Sequence, residues 1–121
     1  MGRIRKIPND TKHFTYCNAN PLDHRAGDCV VRAIAHAEND SWYDTYRSLC
    51  VIGEELCRMP NERKTYEELL KRRGWKKHKQ PRKLNGKKYT ACEFLDEHHE
   101  ACVLHVGSRH IAYSYGGRVY D

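Results

Sequence analysis

The stretch Gly27-Asp28-Cys29-Val30-Val31-Arg32-Ala33-Ile34-Ala35-His36-Ala37 constrains this chain most. Val30, Val31, Ile34 and Ala35 recur at helical spacing, and Ala33 and Ala37 are small enough for close packing. Gly27 frees the backbone to turn, and Asp28 is a residue type that caps helices by accepting from their first amides. The spacing predicts a central, apolar helix that begins at Cys29. A thiol is thereby set at the positive end of a helix, where an anion is favoured. The competing reading is a packed, inert thiol, as free cysteines in cores commonly are.

The chain has 121 residues, enough for one domain with a single core. We read residues 1–17 as an N-terminal arm and 18–121 as the domain. Lys plus Arg number 22 against 16 Asp plus Glu, a net +6, with clusters at Gly2–Lys6, Lys71–Lys79 and Arg82–Lys88. Such runs are ordinarily solvated surface, and they permit an acidic protein partner. Met1–Lys6 leads into polar residues without an apolar segment, and no run approaches membrane length. The six cysteines are therefore expected as reduced thiols in a cytoplasm, bacterial or phage-infected, with no membrane association. No Cys-x-x-Cys pair occurs, and the neighbours His98 and His99 point to different helix faces, so no metal is expected. No organic cofactor is implied either.

Taken in order, Phe14 and Tyr16 alternate and fit a short strand or an apolar anchor. The Cys29 helix should end near Asn39-Asp40. Ser41 and Asp44 open a second helix, with Trp42, Tyr46, Leu49, Gly53 and Leu56 as its buried stripe and Cys50 and Cys57 as core filler. Met59-Pro60-Asn61 ends it. Thr65 and Glu68 read as the capping box of a third helix that stops at Gly74, with Trp75 covering its end. Lys76–Lys88 is basic, and only Trp75 and Tyr89 offer aromatic faces nearby, so nucleic acid is not expected. Thr90 and Glu93 cap a fourth helix, which should run to about His99. The period then changes to strands over Ala101–Val106, His110–Tyr115 and Arg118–Asp121, with turns at Gly107-Ser108 and Gly116-Gly117.

The last hairpin carries a geometric prediction. With Gly116-Gly117 as a two-residue loop, Tyr115 faces Arg118, Ser114 faces Val119, Tyr113 faces Tyr120 and Ala112 faces Asp121. His110, Ala112, Ser114, Val119 and Asp121 then share a face, and Asp121 becomes the diagonal neighbour of His110. A carboxylate on one imidazole nitrogen fixes the ring and leaves the other nitrogen to act on a nucleophile. Were that face to pack on the start of the Cys29 helix, a cysteine, a histidine and an acid would meet. Taken singly, a surface histidine and a frayed terminal aspartate are the simpler readings. His36 lies two turns along the helix, about 10 Å away along its axis, too far to share a proton with Cys29. His105 has no acid near it in sequence, and His24 stays open as a partner.

This order of parts resembles the papain-like cysteine peptidase superfamily. Gly27-Asp28-Cys29, His110 and Gly117-Arg118-Val119-Tyr120-Asp121 look most like its small bacterial and phage members, such as double-glycine leader peptidases. The resemblance implies an α+β, papain-like fold, with an N-terminal helix carrying the cysteine packed on a small C-terminal antiparallel sheet. It implies acyl transfer on a peptide or protein substrate, most simply hydrolysis of a peptide or isopeptide bond. Cys29 would be the nucleophile, His110 the acid/base and Asp121 its orienter. The family's oxyanion donor is a Gln or Asn shortly before the cysteine; no Gln precedes Cys29, and Asn20, nine residues upstream, is the candidate. The alternative is a phage or mobile-element binding module, such as an inhibitor of a host defence factor, that uses its basic surface without catalysis.

Overall fold

The structure is a computed structural model that describes residues 10–23, 27–107 and 109–121. The Gly2–Lys6 cluster, His24, Ala26 and Ser108 lie outside these residues. The described chain is α+β, with four helices and one four-stranded sheet. In chain order the elements are β1 (Phe14–Thr15), α1 (Cys29–Glu38), α2 (Trp42–Leu56), α3 (Arg63–Arg72), α4 (Ala91–Glu97), β2 (Cys102–Val106), β3 (His110–Tyr115) and β4 (Arg118–Tyr120).

The core forms around α1. Val30, Val31, Ala33 and Ile34 pack with Leu49 and Ile52 of α2, Tyr66 and Leu69 of α3, and Ile111 of β3. Helix α1 lies on β3 and packs against α2, which in turn packs against α3. Asn39 ends α1 in the left-handed conformation, its amide bonded to Ala35 and His36 carbonyls.

The sheet order is β1-β4-β3-β2. The last three strands are antiparallel, but β1 adds to β4 in parallel, so the sheet is mixed rather than the purely antiparallel one expected. The reason is the outer edge of β4, whose backbone groups need partners. Residues 11–17 supply them. Val119 N–H donates to the His13 carbonyl at 2.8 Å and Asp121 N–H to the Thr15 carbonyl at 3.1 Å. Cys17 N–H donates to the Asp121 carbonyl at 2.9 Å. The Arg118 guanidinium closes the join by donating to the carbonyls of Thr11 and Lys12 and to Thr15 Oγ1.

Local expectations for the helices fare unevenly. Thr90 and Glu93 form the full capping box of α4, although the helix ends at Glu97, two residues early. His98 there stacks on Phe94 at 4.3 Å instead of continuing the helix. Ser41 caps α2 by accepting from Asp44 N–H. The buried residues of α2 are Thr45, Leu49, Ile52 and Gly53, so the stripe is rotated from the one expected, and Tyr46 and Leu56 are exposed. Gly53 fixes that rotation, because a Cβ there would sit 2.6 Å from the Arg58 carbonyl oxygen. Cys57 is not core filler: it is the exposed, left-handed C-cap of α2. Helix α3 begins at Arg63, with Glu62 as N-cap, not at Thr65. Thr65 is buried inside it and donates to the Met59 carbonyl at 2.8 Å. Gly74 and Trp75 do close α3, and the Trp75 indole N–H reaches Glu38 at 3.0 Å. No helix among the described residues is long and apolar enough to cross a membrane.

The β3–β4 hairpin has the expected register, with Tyr115 opposite Arg118, Ser114 opposite Val119 and Tyr113 opposite Tyr120. Gly116 and Gly117 both have positive φ, as a two-residue loop matched to the sheet's twist requires. Gly117 is also crowded: a Cβ would meet the Leu95 carbonyl oxygen at 2.8 Å and the His99 ring at 3.3 Å. At Gly116 nothing lies within 4 Å. Gly117→Ala should therefore cost roughly 2–3 kcal/mol and Gly116→Ala roughly 1 kcal/mol, the second reflecting the left-handed backbone alone. Urea unfolding of the two variants checks this, and equal losses would show that the hairpin does not seat on α4 as described.

Candidate active site at the head of α1

Cys29 is the first residue of α1, half-buried, and packed against the core cluster that contains Ile111. Asp28 stands at the N-cap, but its side chain caps nothing. This corrects the expectation from sequence. The carboxylate is turned instead toward three side-chain donors: Arg32 Nε at 2.8 Å, Trp42 Nε1 at 2.9 Å and Asn20 Nδ2 at 3.1 Å. The first helical bond runs from Arg32 N–H to the Asp28 carbonyl. The amides before it in the first turn have no intrahelical partner and point out of the helix beside Cys29.

Burial opposes ionisation of Asp28, yet its carboxyl is held below the usual carboxylate range. The donors from Asn20, Trp42 and Arg32, with the Arg32 charge, outweigh the loss of water. The Asp28 and Arg32 side chains are only 10% and 15% exposed, so solvent screens this pair weakly.

Arg32 extends the network. Its Nη1 donates to Asp121 Oδ1 at 2.5 Å. The other oxygen of the same carboxylate, Oδ2, lies 2.6 Å from His110 Nε2. The diagonal relation of His110 and Asp121 thus closes into a direct hydrogen bond. Because a carboxylate facing a guanidinium can only accept, Nε2 is the donor. Nδ1 of His110 has no hydrogen bond among the described residues. An unbroken chain of polar contacts therefore runs Asp28–Arg32–Asp121–His110, from the N-cap of α1 to the start of β3.

Cys29 is not joined to this chain. Among the described residues no hydrogen bond links its Sγ to His110. Asn20 is brought to the same corner, with Nδ2 on Asp28 and Oδ1 accepting from Leu22 N–H at 3.0 Å. The other histidines have separate roles. His36 Nε2 lies 2.7 Å from the Cys17 carbonyl. His105 Nε2 lies 2.9 Å from the Tyr66 hydroxyl. Burial, reinforced by the Arg63 charge, lowers the His105 pKa, and burial raises that of Tyr66, so both shifts favour the neutral forms of the hydroxyl and the ring that share this bond. His24 lies outside the described residues. No group of His, Cys, Asp and Glu among the described residues could hold a metal ion.

Arg32 and Trp42 are the site residues that sequence reasoning missed. The signal for Arg32 was its place four residues after Asp28, on the same helix face. Trp42 gave none, since it reads as one more apolar residue of α2.

The sign of the Asp28 effect follows from its lowered pKa. The carboxylate stabilises the fold fully above its unfolded value, about 3.9, and that stabilisation is lost as pH falls through the lower folded value. Between pH 6 and pH 2 the wild-type protein should lose more thermal stability than Asp28→Asn, with the difference arising below about pH 4. Melting curves across that range check it, and parallel declines would remove Asp28 from the account.

Compared with protein-family models, with curated proteins and with solved structures, the chain matches none.

Proposed function

We propose that the protein is a cysteine-dependent acyl-transfer enzyme of papain-like design, hydrolysing a peptide or isopeptide bond through a thioester. The observation that carries this reading is the His110–Asp121 pair, 2.6 Å apart and tied by Arg32 to the first turn of the helix that begins with Cys29. Cys29 Sγ attacks the carbonyl carbon while its proton passes to His110 Nδ1, the ring nitrogen that Asp121 leaves unoccupied. Asp121 holds the ring and stabilises the imidazolium. The oxyanion is met by the Cys29 amide and by Asn20. His110 then gives the proton to the departing amine as the C–N bond breaks. Water next attacks the thioester and gives a proton to His110. The acid product leaves, and the thiol regains its proton. The setting is a reducing cytoplasm.

The mechanism requires Sγ and Nδ1 to close on one another when substrate binds. Catalytic hydrogen bonds commonly tighten only in the substrate complex.

Profiling of thiol alkylation by mass spectrometry from pH 5 to 9 tests the proposal. Cys17, Cys57 and Cys92 are exposed whereas Cys29 is half-buried, so accessibility alone would make Cys29 slower than those three. An activated Cys29 should instead react at least about tenfold faster than any of them near pH 7, and His110→Ala should abolish the advantage. A Cys29 that reacts more slowly than the exposed thiols, with or without His110, would end the enzymatic reading.

A binding role is the competing account. It is favoured by the stretch 76–88, which is exposed almost throughout and carries Leu84 fully in solvent between Arg82 and Lys88, the two bridged residues. An acidic protein surface with an apolar recess would fit it. Such a binder should tolerate Cys29→Ala and lose its partner on charge reversal of Lys87 and Lys88, read by pull-down from the host cell.

A further inference from the structure

We infer that Arg32 is a positioning residue for the His110–Asp121 couple, a role that goes beyond the residues of the proposed mechanism and rests on that reading only for its catalytic consequence. Three observations carry it. First, Asp121 is divided between two partners, Oδ1 to Arg32 Nη1 and Oδ2 to His110 Nε2. A carboxylate held at one oxygen cannot swing away from a ring held at the other. Second, Arg32 is itself held. Its Nε is fixed on Asp28 Oδ1, and Asp28 is fixed in turn by Trp42 and Asn20. The guanidinium is planar and rigid, so the Nε and Nη1 contacts set the spacing between two carboxylates 93 positions apart in the chain (28 and 121). Third, the participants are shielded, with side-chain exposures of 10% for Asp28, 15% for Arg32 and 18% for Asp121, whereas His110 is 40% exposed. The anchored end of the chain is dry and the working end faces solvent.

The arrangement also balances charge. One cation faces two carboxylates, and each carboxylate has a neutral or basic second partner: Asp28 has Trp42 and Asn20, and Asp121 has His110. Removing Arg32 would leave two poorly solvated anions without their shared cation, and Asp121 would be drawn toward water. A lysine at position 32 supplies a point charge but no planar fork, so it serves one carboxylate at a time.

Proton NMR of the full chain at neutral pH tests this without any assay of activity. A short, charge-assisted Nε2–H bond to a shielded carboxylate slows exchange of its proton and gives a low-field imidazole resonance, assigned here by its disappearance in His110→Ala. The resonance should be sharp in the wild type, broadened beyond detection in Arg32→Met, and partly restored in Arg32→Lys. Where Arg32→Met does not fold, the double variant Asp28→Asn/Arg32→Met removes the stranded charge and gives the same reading. A resonance that is absent from the wild type, or that persists unchanged in a folded Arg32→Met or double variant, would overturn the inference. Alkylation of Cys29 is read in parallel and should fall in Arg32→Met to the rate seen in His110→Ala. If wild-type Cys29 shows no enhanced rate while the resonance still depends on Arg32, the catalytic proposal fails and the positioning role stands.

Discussion

One guanidinium ties the head of α1 to the residue that follows the sheet's last strand. Arg32 bonds to Asp28 at the head of α1 and to Asp121 beyond β4, and through Asp121 it bears on His110. Apolar packing of α1 on β3 brings the helix and the sheet together, but dispersion and burial have no direction and do not fix a side chain to within a few tenths of an ångström. The charged hydrogen bonds do, because they are directional and poorly screened where the side chains are shielded. Their net contribution to stability is modest, since each charge gives up water to join the network. Geometric definition of the site is the larger consequence.

The hairpin was legible in the sequence because its signals are local. Two adjacent glycines set a loop length, loop length sets register, and register decides which residues share a face. The proximity of His110 and Asp121 follows from those steps without reference to the rest of the molecule. The start of α1 and the capping box at Thr90 and Glu93 were legible for the same reason. The stripe of α2 was misjudged because aromatic residues dominate a hydrophobic pattern. In the fold Tyr46 stacks on Trp42 at 5.1 Å at the flank of the helix, while the smaller Thr45 and Gly53 face inward. Close approach of the 58–60 segment to Gly53 rewards small residues, and no periodicity reports that.

The parallel strand and the role of Asp28 were illegible for a different reason. Both depend on contacts between residues far apart in the chain. Phe14 and Thr15 show too short a pattern to declare a partner, and the demand for one arises from the open edge of β4. Asp28 carries the composition of an N-cap, and an isolated helix would use it so. Competition decides otherwise. Arg32, Trp42 and Asn20 together offer the carboxylate stronger and more numerous donors than one first-turn amide would. The helix amides are thereby left available beside Cys29, which is what an oxyanion site at this position would need.

The two halves of the candidate site differ in how firmly they are built. Asp121 is fixed three ways: its amide donates to Thr15, its carbonyl accepts from Cys17, and its carboxylate is shared by Arg32 and His110. His110 inherits that definition at Nε2. Cys29 has a fixed backbone, as the first residue of a helix packed in the core, but its sulfur bonds to nothing among the described residues. A single side-chain torsion sets where that sulfur points on the helix end. Hydrogen bonding is thus concentrated at His110 and Asp121, whereas the Cys29 sulfur is placed by packing alone. Under the proposed mechanism the sulfur would travel to a carbonyl carbon and back within one turnover, whereas His110 would wait in one place with Nδ1 aimed. The parallel strand at the sheet edge, which contributes no candidate catalytic side chain, belongs to that arrangement because it secures the backbone from which the waiting half is hung.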